Sequence, residues 1–308
     1  MAEKIKVICV VGATAGGKTA LGVEIAKAID GEIISADSMQ VYKNMPVATA
    51  VATADEQQGI PHHLIEFLDN DSHFSVADFV ALAKEKIFEI NARGKTAVIV
   101  GGTGLFIDSL IKNITFADVR ADSALREKLE QKTNDELYNE LLAADKTAAE
   151  NIHKNNRKRV IRALELFYAG TTKTQQNEDS TKQGSPFDAL YIGVGYADRS
   201  NLYQRINKRV DSMLENGLLD EARHILQKSS GTSNQAIGHK ELKPYLDGEI
   251  SLQDAVDNLK TATRRYAKRQ LTWFRKNDSI HWLYADETEY TVLVETAVAL
   301  CKGFLEKD

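Results

Sequence analysis

Over the first hundred residues, short apolar runs alternate with longer stretches that are apolar on one side only. Lys6 to Val11, Glu32 to Ser35 and Thr96 to Val100 have the length and content of buried strands. Thr19 to Ala28 sets Leu21 and Ile25, followed by Ile29, on one side of a helix, and Val76 to Ile90 predicts a second amphipathic helix. Such alternation predicts an α/β domain with a parallel sheet, whose ligands bind beyond the carboxyl ends of the strands. From about Ala121 to Tyr168 the period turns helical, with pairs such as Leu125/Leu129 and Leu137/Leu141. Gly170 to Pro186 is polar and aperiodic, which predicts a mobile loop. Leu190 to Val194 then predicts a strand returning to the sheet, and Leu202 to Glu215 a helix ended by Gly217. The expected organisation is a core of residues 1–117 and 188–308, carrying C-terminal helices, with an all-helical insertion at 118–187.

Composition narrows the class without choosing a function. The 308 residues are 43% hydrophobic and 27% charged, and the mean hydropathy is -0.33, as in ordinary globular chains. No apolar run is long enough to span a bilayer, and the N-terminus lacks the pattern of a secretory signal. A soluble, cytoplasmic monomer with no membrane contact is therefore expected. Cys9 and Cys301 lie at opposite ends of the chain and form no metal-ligand spacing. A net charge of -5 argues against indiscriminate coating of nucleic acid. It leaves room for a local basic groove, because footprints depend on clustering.

Three Gly- or Asp-bearing turns fall at predicted strand ends: Gly12 to Thr19, Asp37 to Gln40, and Gly101 to Gly104. The first reads Gly12-Ala13-Thr14-Ala15-Gly16-Gly17-Lys18-Thr19, a G-x-x-x-x-G-K-[ST] phosphate loop between a strand and a helix. Its backbone N–H groups and the helix dipole suit an anion, Lys18 adds a point charge, and the Thr19 hydroxyl can hold Mg²⁺. The loop specifies a diphosphate but not the molecule that carries it. The strand Thr96 to Val100 ends in Gly-Gly-Thr-Gly, where P-loop NTPases place a Mg²⁺-binding Asp. The loop is therefore expected to hold a leaving diphosphate. Asp37 has two readings, a cap of the following turn or a carboxylate facing the crevice.

Seven blocks carry a resemblance. GATAGGKT, SADSMQVY, GIPHHL (Gly59 to Leu64), VGGTGLF (Val100 to Phe106), RVIRALE (Arg159 to Glu165), QAIGHKEL (Gln235 to Leu242) and TRRYAKRQLTWFR (Thr263 to Arg275) occur in this order. Together they resemble the tRNA dimethylallyltransferase, or tRNA isopentenyltransferase, family over essentially the whole chain. The resemblance implies transfer of a dimethylallyl group from dimethylallyl diphosphate to N6 of adenine 37, in tRNAs that read codons beginning with U, with Mg²⁺ as cofactor. It implies that Asp37, Lys18 and Thr19 are catalytic, and that Gly12 to Thr19 with Arg205 and Arg209 hold the diphosphate. Asp37, Ser38, Met39, Gln40, Thr103, Arg126, Lys158, Arg159, Val160, Ile161, Arg162, Gln235, Gly238, His239 and Lys240 are the implied contacts to the tRNA anticodon stem-loop. Val51-Ala52 stands where the family usually has Lys-Pro, Gly16 where Ser is common, and His239 where Tyr is common.

Two basic segments suit the RNA expectation: His153 to Arg162, and Thr263 to Arg275, where 264/268 and 265/269 stack as a stripe. Tyr266 and Trp273 read as packing residues. The pair His62-His63 has no Cys nearby in sequence and makes a poor zinc site. The rival readings are an adenylate isopentenyltransferase acting on free AMP, ADP or ATP, a small-molecule P-loop kinase, and a non-catalytic RNA-binding module.

Overall fold

The computed structural model describes residues 4–116, 122–228 and 231–307. Along the chain, β1 (Ile5–Gly12), α1 (Lys18–Ala28) and β2 (Gly31–Ser35) lead to the short helices α2 (Pro46–Thr49) and α3 (Ala54–Gln57). Then come β3 (His62–His63), α4 (Val76–Ala92), β4 (Thr96–Gly101) and α5 (Gly104–Ile111). Five helices follow: α6 (Ser123–Glu130), α7 (Asn134–Ala144), α8 (Lys146–Asn151), α9 (Arg157–Tyr168) and α10 (Lys173–Gln183). The chain re-enters the sheet with β5 (Phe187–Gly195) and continues through α11 (Arg199–Glu215), α12 (Leu218–Lys228), α13 (His239–Leu246), α14 (Leu252–Phe274), β6 (Ile280–Tyr284) and α15 (Tyr290–Leu305).

Met1–Ile111 with Phe187–Asp308 forms one compact unit and Lys112–Pro186 a second. The junction expected at 117/118 lies outside the described residues. In the first unit the strands are ordered β3-β2-β4-β1-β5-β6, and every neighbouring pair is parallel. Strands buried on both faces must be apolar almost throughout, which is why β1 reads IKVICVVG without alternation. Leu21 and Ile25 of α1 and Leu293, Ala297 and Cys301 of α15 close one core with Ile8, Val10, Val98 and Ile192. Phe79, Ile87 and Ile90 of α4 and Ile107 and Leu110 of α5 are buried as well, and Phe79 stacks on Phe106 with centroids 4.4 Å apart. Ser75 starts α4 with a reciprocal capping box to Asp78. No helix among the described residues is long and apolar enough to cross a membrane.

The second unit is helical around Leu129, Leu137, Leu141, Val160, Ile161 and Leu164. The segment expected to be a mobile loop instead contains α10. Its inward face is polar, so apolar periodicity could not reveal it. Thr172 caps it by accepting from the Gln175 N–H, the Thr174 N–H donates to Asp145 at 2.9 Å, and Gln176 and Ser180 are buried. The Ser180 hydroxyl accepts from the Thr115 N–H at 3.0 Å. Hydrogen bonds do here what leucines do elsewhere.

Candidate active site

Three strand ends converge on the site, because β1, β4 and β2 are successive neighbours in the sheet. The loop after β1 turns into α1 through Gly17, whose φ of 95° lies in the left-handed region where a side chain would be strained. Lys18 Nζ donates to the Ala13 carbonyl at 2.6 Å. Burial, and then the charge of Arg209, lower the Lys18 pKa to about 8, with Asp37 opposing them. An anion at the loop would reverse that balance by stabilising the ammonium form.

Asp37 lies in the turn after β2. One carboxylate oxygen, Oδ1, accepts the Met39 N–H at 2.9 Å. This bond orients the group, as a capping Asp would, yet the carboxylate still lines the crevice. The two readings of Asp37 are compatible. The Ser38 N–H donates to Thr103 Oγ1 at 3.3 Å, and the Thr103 N–H to the Ala36 carbonyl at 3.2 Å. The turns after β2 and β4 are thus bonded to each other.

Two chambers meet here. The smaller, of ≈ 70 Å³, is polar and has Lys18, Thr19, Asp37 and Arg209 in its wall. The larger, of ≈ 260 Å³, is lined by Asp37 and Arg209 together with apolar groups of Met39, Val210, Met213 and Leu259. Thr14, Asp37, Thr49 and Arg209 belong to both walls, so the chambers join at these side chains. An anion suits the first, and a flat ring or a short hydrocarbon the second. Burial lowers the Arg209 pKa, while Asp37 and Glu56 oppose the shift.

Other sequence-derived residues distribute unevenly. Arg205 is exposed and lines neither chamber; its Nε donates to the Ala15 carbonyl at 3.1 Å, bracing the phosphate loop from outside. Gln40 lines the smaller chamber with its amide already committed: it accepts from Ser35 Oγ and donates to the carbonyls of Thr49 and Ala50. Met39 and the exposed Gln235 line the larger chamber. His239 is fully buried, which corrects the expectation of an RNA contact there. Its Nε2 lies 2.9 Å from Glu221 Oε1, and Glu221 also accepts the Val47 and Ala48 N–H groups at the start of α2. Gly238 is buried beside Ala48, while Lys240 is exposed. Of the pair Val51-Ala52, Val51 is buried and Ala52 lines the smaller chamber.

In the second unit the basic run of α9 splits. Val160 and Ile161 are core residues, 0% and 1% exposed, and cannot touch RNA directly. Helical spacing turns them inward while Lys158, Arg159 and Arg162 stay outside. Arg162 pairs with Glu165 at 3.1 Å, and Arg126 with Glu165 and Glu130. Lys158 and Arg159 have no ion pair among the described residues. The stripe expected on α14 is also thinner than its sequence, because Arg264 donates to Asn207 of α11 at 2.7 Å.

Sequence reasoning missed Tyr266 and Gln270. Tyr266 lines the larger chamber rather than only packing. Burial and the Asp37 charge raise its pKa, so the hydroxyl stays protonated, and Arg269 lies 5.6 Å over its ring. Trp273 does pack: its Nε1 donates to Asp108 at 3.1 Å. Gln270 interrupts the apolar stripe of Ala267, Leu271 and Phe274, and a lone amide on a buried face is the signal that could have revealed it. His62 faces the smaller chamber with Nδ1 bonded to the Ile60 carbonyl, whereas His63 pairs with Glu32.

The comparisons with known proteins point the same way. The sequence profile of the IPP transferase family matches residues 40–277. A tRNA dimethylallyltransferase of Halalkalibacterium halodurans is 45% identical over 99% of both chains. That of Bacillus subtilis strain 168 is 46% identical over 91% of this chain and 90% of its own. Among solved structures, the tRNA isopentenylpyrophosphate transferase of Bacillus halodurans is similar at a TM-score of 0.76 and 42% identity, covering 98% of this chain and 97% of that one. A eukaryotic dimethylallyltransferase acting on tRNA is similar at a TM-score of 0.86 and 31% identity, covering 98% and 79%. With a profile that spans most of the sequence and relatives this similar over nearly all of it, the chain belongs to the IPP transferase family.

Proposed function

We propose that this enzyme transfers a dimethylallyl group from dimethylallyl diphosphate to N6 of adenine 37 in tRNAs that read codons starting with U, releasing diphosphate. The observation that carries the reading is the join between chambers: Lys18 and Asp37 share the smaller one, and Asp37 and Arg209 open onto the larger. The diphosphate would lie in the loop of Gly12 to Thr19, with Lys18 and Arg209 meeting the charge that grows as it leaves. Preorganised charge of this kind is usually the largest catalytic contribution. The adenine amino nitrogen is a weak nucleophile because its lone pair is delocalised into the ring. Asp37, with Oδ1 held by Met39, has its second oxygen left to accept the amino proton. The N6–C bond forms as the C–O bond to diphosphate breaks, the bonding pair leaves with the diphosphate, and the proton goes to Asp37. The base must leave its stack to reach this depth.

Mg²⁺ suits the smaller chamber, where the Thr19 hydroxyl is a hard oxygen donor. Thr19, with diphosphate oxygens, would hold the ion, which supplies further neutralisation of the leaving group. For RNA, exposed Arg265, Lys268 and Arg269 of α14 and Lys158 and Arg159 of α9 are the proposed phosphate contacts.

Mass analysis of tRNA nucleosides after incubation with protein, Mg²⁺ and dimethylallyl diphosphate tests the reading. N6-dimethylallyladenosine at position 37 is the expected product. Prenyl incorporation into free AMP with none into tRNA would replace this reading by the adenylate one.

A further inference from the structure

Gln270 sits on the buried side of α14 and is 5% exposed. A buried amide is unfavourable unless both its ends are paired, and here they are. Oε1 accepts the Thr14 N–H at 2.8 Å, and Nε2 donates to the Gly102 carbonyl at 3.0 Å. The opposite amide orientation would set NH₂ against N–H and oxygen against oxygen, so the bonds define the orientation. Gly102 makes room for the arrangement: a Cβ there would lie 2.0 Å from Nε2.

The partners matter because of where their loops begin. Thr14 belongs to the phosphate loop after β1, and Gly102 to the turn after β4. The β4 turn is bonded in its own right to the Asp37 turn, through Ser38, Thr103 and Ala36. β1 and β2 are not sheet neighbours, since β4 lies between them. Gln270 therefore closes a hydrogen-bonded path from the diphosphate cradle, across the middle strand end, to the turn that carries the base. It also keeps the Thr14 N–H turned toward α14.

We propose that Gln270 is a positioning residue that sets the register between the phosphate loop and Asp37, and so between the electrophilic carbon and the attacking nitrogen. The inference rests on the prenyl-transfer reading. An error in register degrades the approach of the reactants more than the binding of either one, so it should appear in kcat.

The test compares Gln270→Met, which keeps volume and removes both bonds, with Gln270→Glu, which keeps the acceptor for Thr14 and loses the donor to Gly102. The measurements are kcat, KM for tRNA and for dimethylallyl diphosphate, and the thermal midpoint. Gln270→Met is expected to lower kcat by about 10- to 100-fold, with both KM values within about threefold of wild type. Gln270→Glu is expected to lower kcat by a similar factor and, by placing an anion beside the cradle, to raise KM for the prenyl diphosphate as well. Wild-type kcat in either folded variant overturns the proposal, and so does a Gln270→Met loss confined to KM. If Gln270→Met does not fold, Gln270→Glu carries the test, and failure of both to fold assigns Gln270 to core stability and overturns the positioning role. A wild-type protein that prenylates no tRNA would defeat the functional reading. An active wild type with equally active variants defeats this inference alone.

Discussion

Basic residues serve opposite ends in the two units. In the first, Lys18 and Arg209 line chambers where burial lowers both pKa values. In the second, Arg126, Arg157 and Arg162 lie against Glu130 and Glu165, in ion pairs of 3.1–3.9 Å. A cation held against burial is maintained for something that will neutralise it, whereas a surface cation beside a carboxylate adds little and is screened by salt. The same residue types therefore carry different information in the two places.

Five measurements can break or sharpen that contrast. Asp37→Ala should lower turnover by about 10²–10⁴-fold, while tRNA affinity stays within about threefold. Equal losses of binding and rate would make Asp37 a contact only. Lys18→Ala should lower kcat/KM for dimethylallyl diphosphate by about 10²–10³-fold without lowering the thermal midpoint, because folding already disfavours its charged form. A midpoint that drops as it would for a core truncation would make Lys18 a structural residue. Ile161→Ala should destabilise the helical unit by about 2–5 kcal/mol in denaturant melts. It should leave the salt dependence of tRNA binding unchanged, and a changed slope would place Ile161 in the interface after all.

The pH effect is smaller and its sign follows from the lysine. Lys18 is charged below about 8 and loses its proton above it. KM for the prenyl diphosphate should therefore be flat below pH 8 and rise by up to about tenfold per unit above it. A KM that falls with rising pH would contradict the assignment. The smallest effect belongs to the surface: Lys158→Ala should reduce the log-log salt slope of tRNA binding by about 0.7–0.9. An unchanged slope would remove Lys158 from the RNA footprint.

The catalytic unit was largely legible because its signals are local. A buried parallel strand must be apolar throughout, and a phosphate loop must carry glycines at fixed offsets, so β1 and Gly12 to Thr19 announce themselves. Where tertiary partners decide, the sequence was silent. α10 is held by Asp145 and Thr115, far from it along the chain, and its polar composition reads as a loop. The inward turn of Val160 and Ile161 inside a basic run is visible only once the phase of α9 is known. Gln270 and Tyr266 sit in a segment whose charges draw the eye to its outer face. Their role depends on loops some 160 to 260 positions away, as the 168- and 256-residue separations of the two Gln270 bonds show. His239 likewise looks like a polar contact until Glu221 is seen beside it.

The wall that carries Thr49 has an unusual foundation. α2 has four residues, too few for a helix to sustain itself by its own bonds. Its opening amides are held by one carboxylate, Glu221, 174 positions from Val47 in the chain. The shape of the chamber near Thr49 is thus inherited from α12 and α13, segments that carry none of the proposed catalytic groups. Damage to those distant helices would reach the reacting groups by letting this small wall sag, even with every catalytic side chain intact.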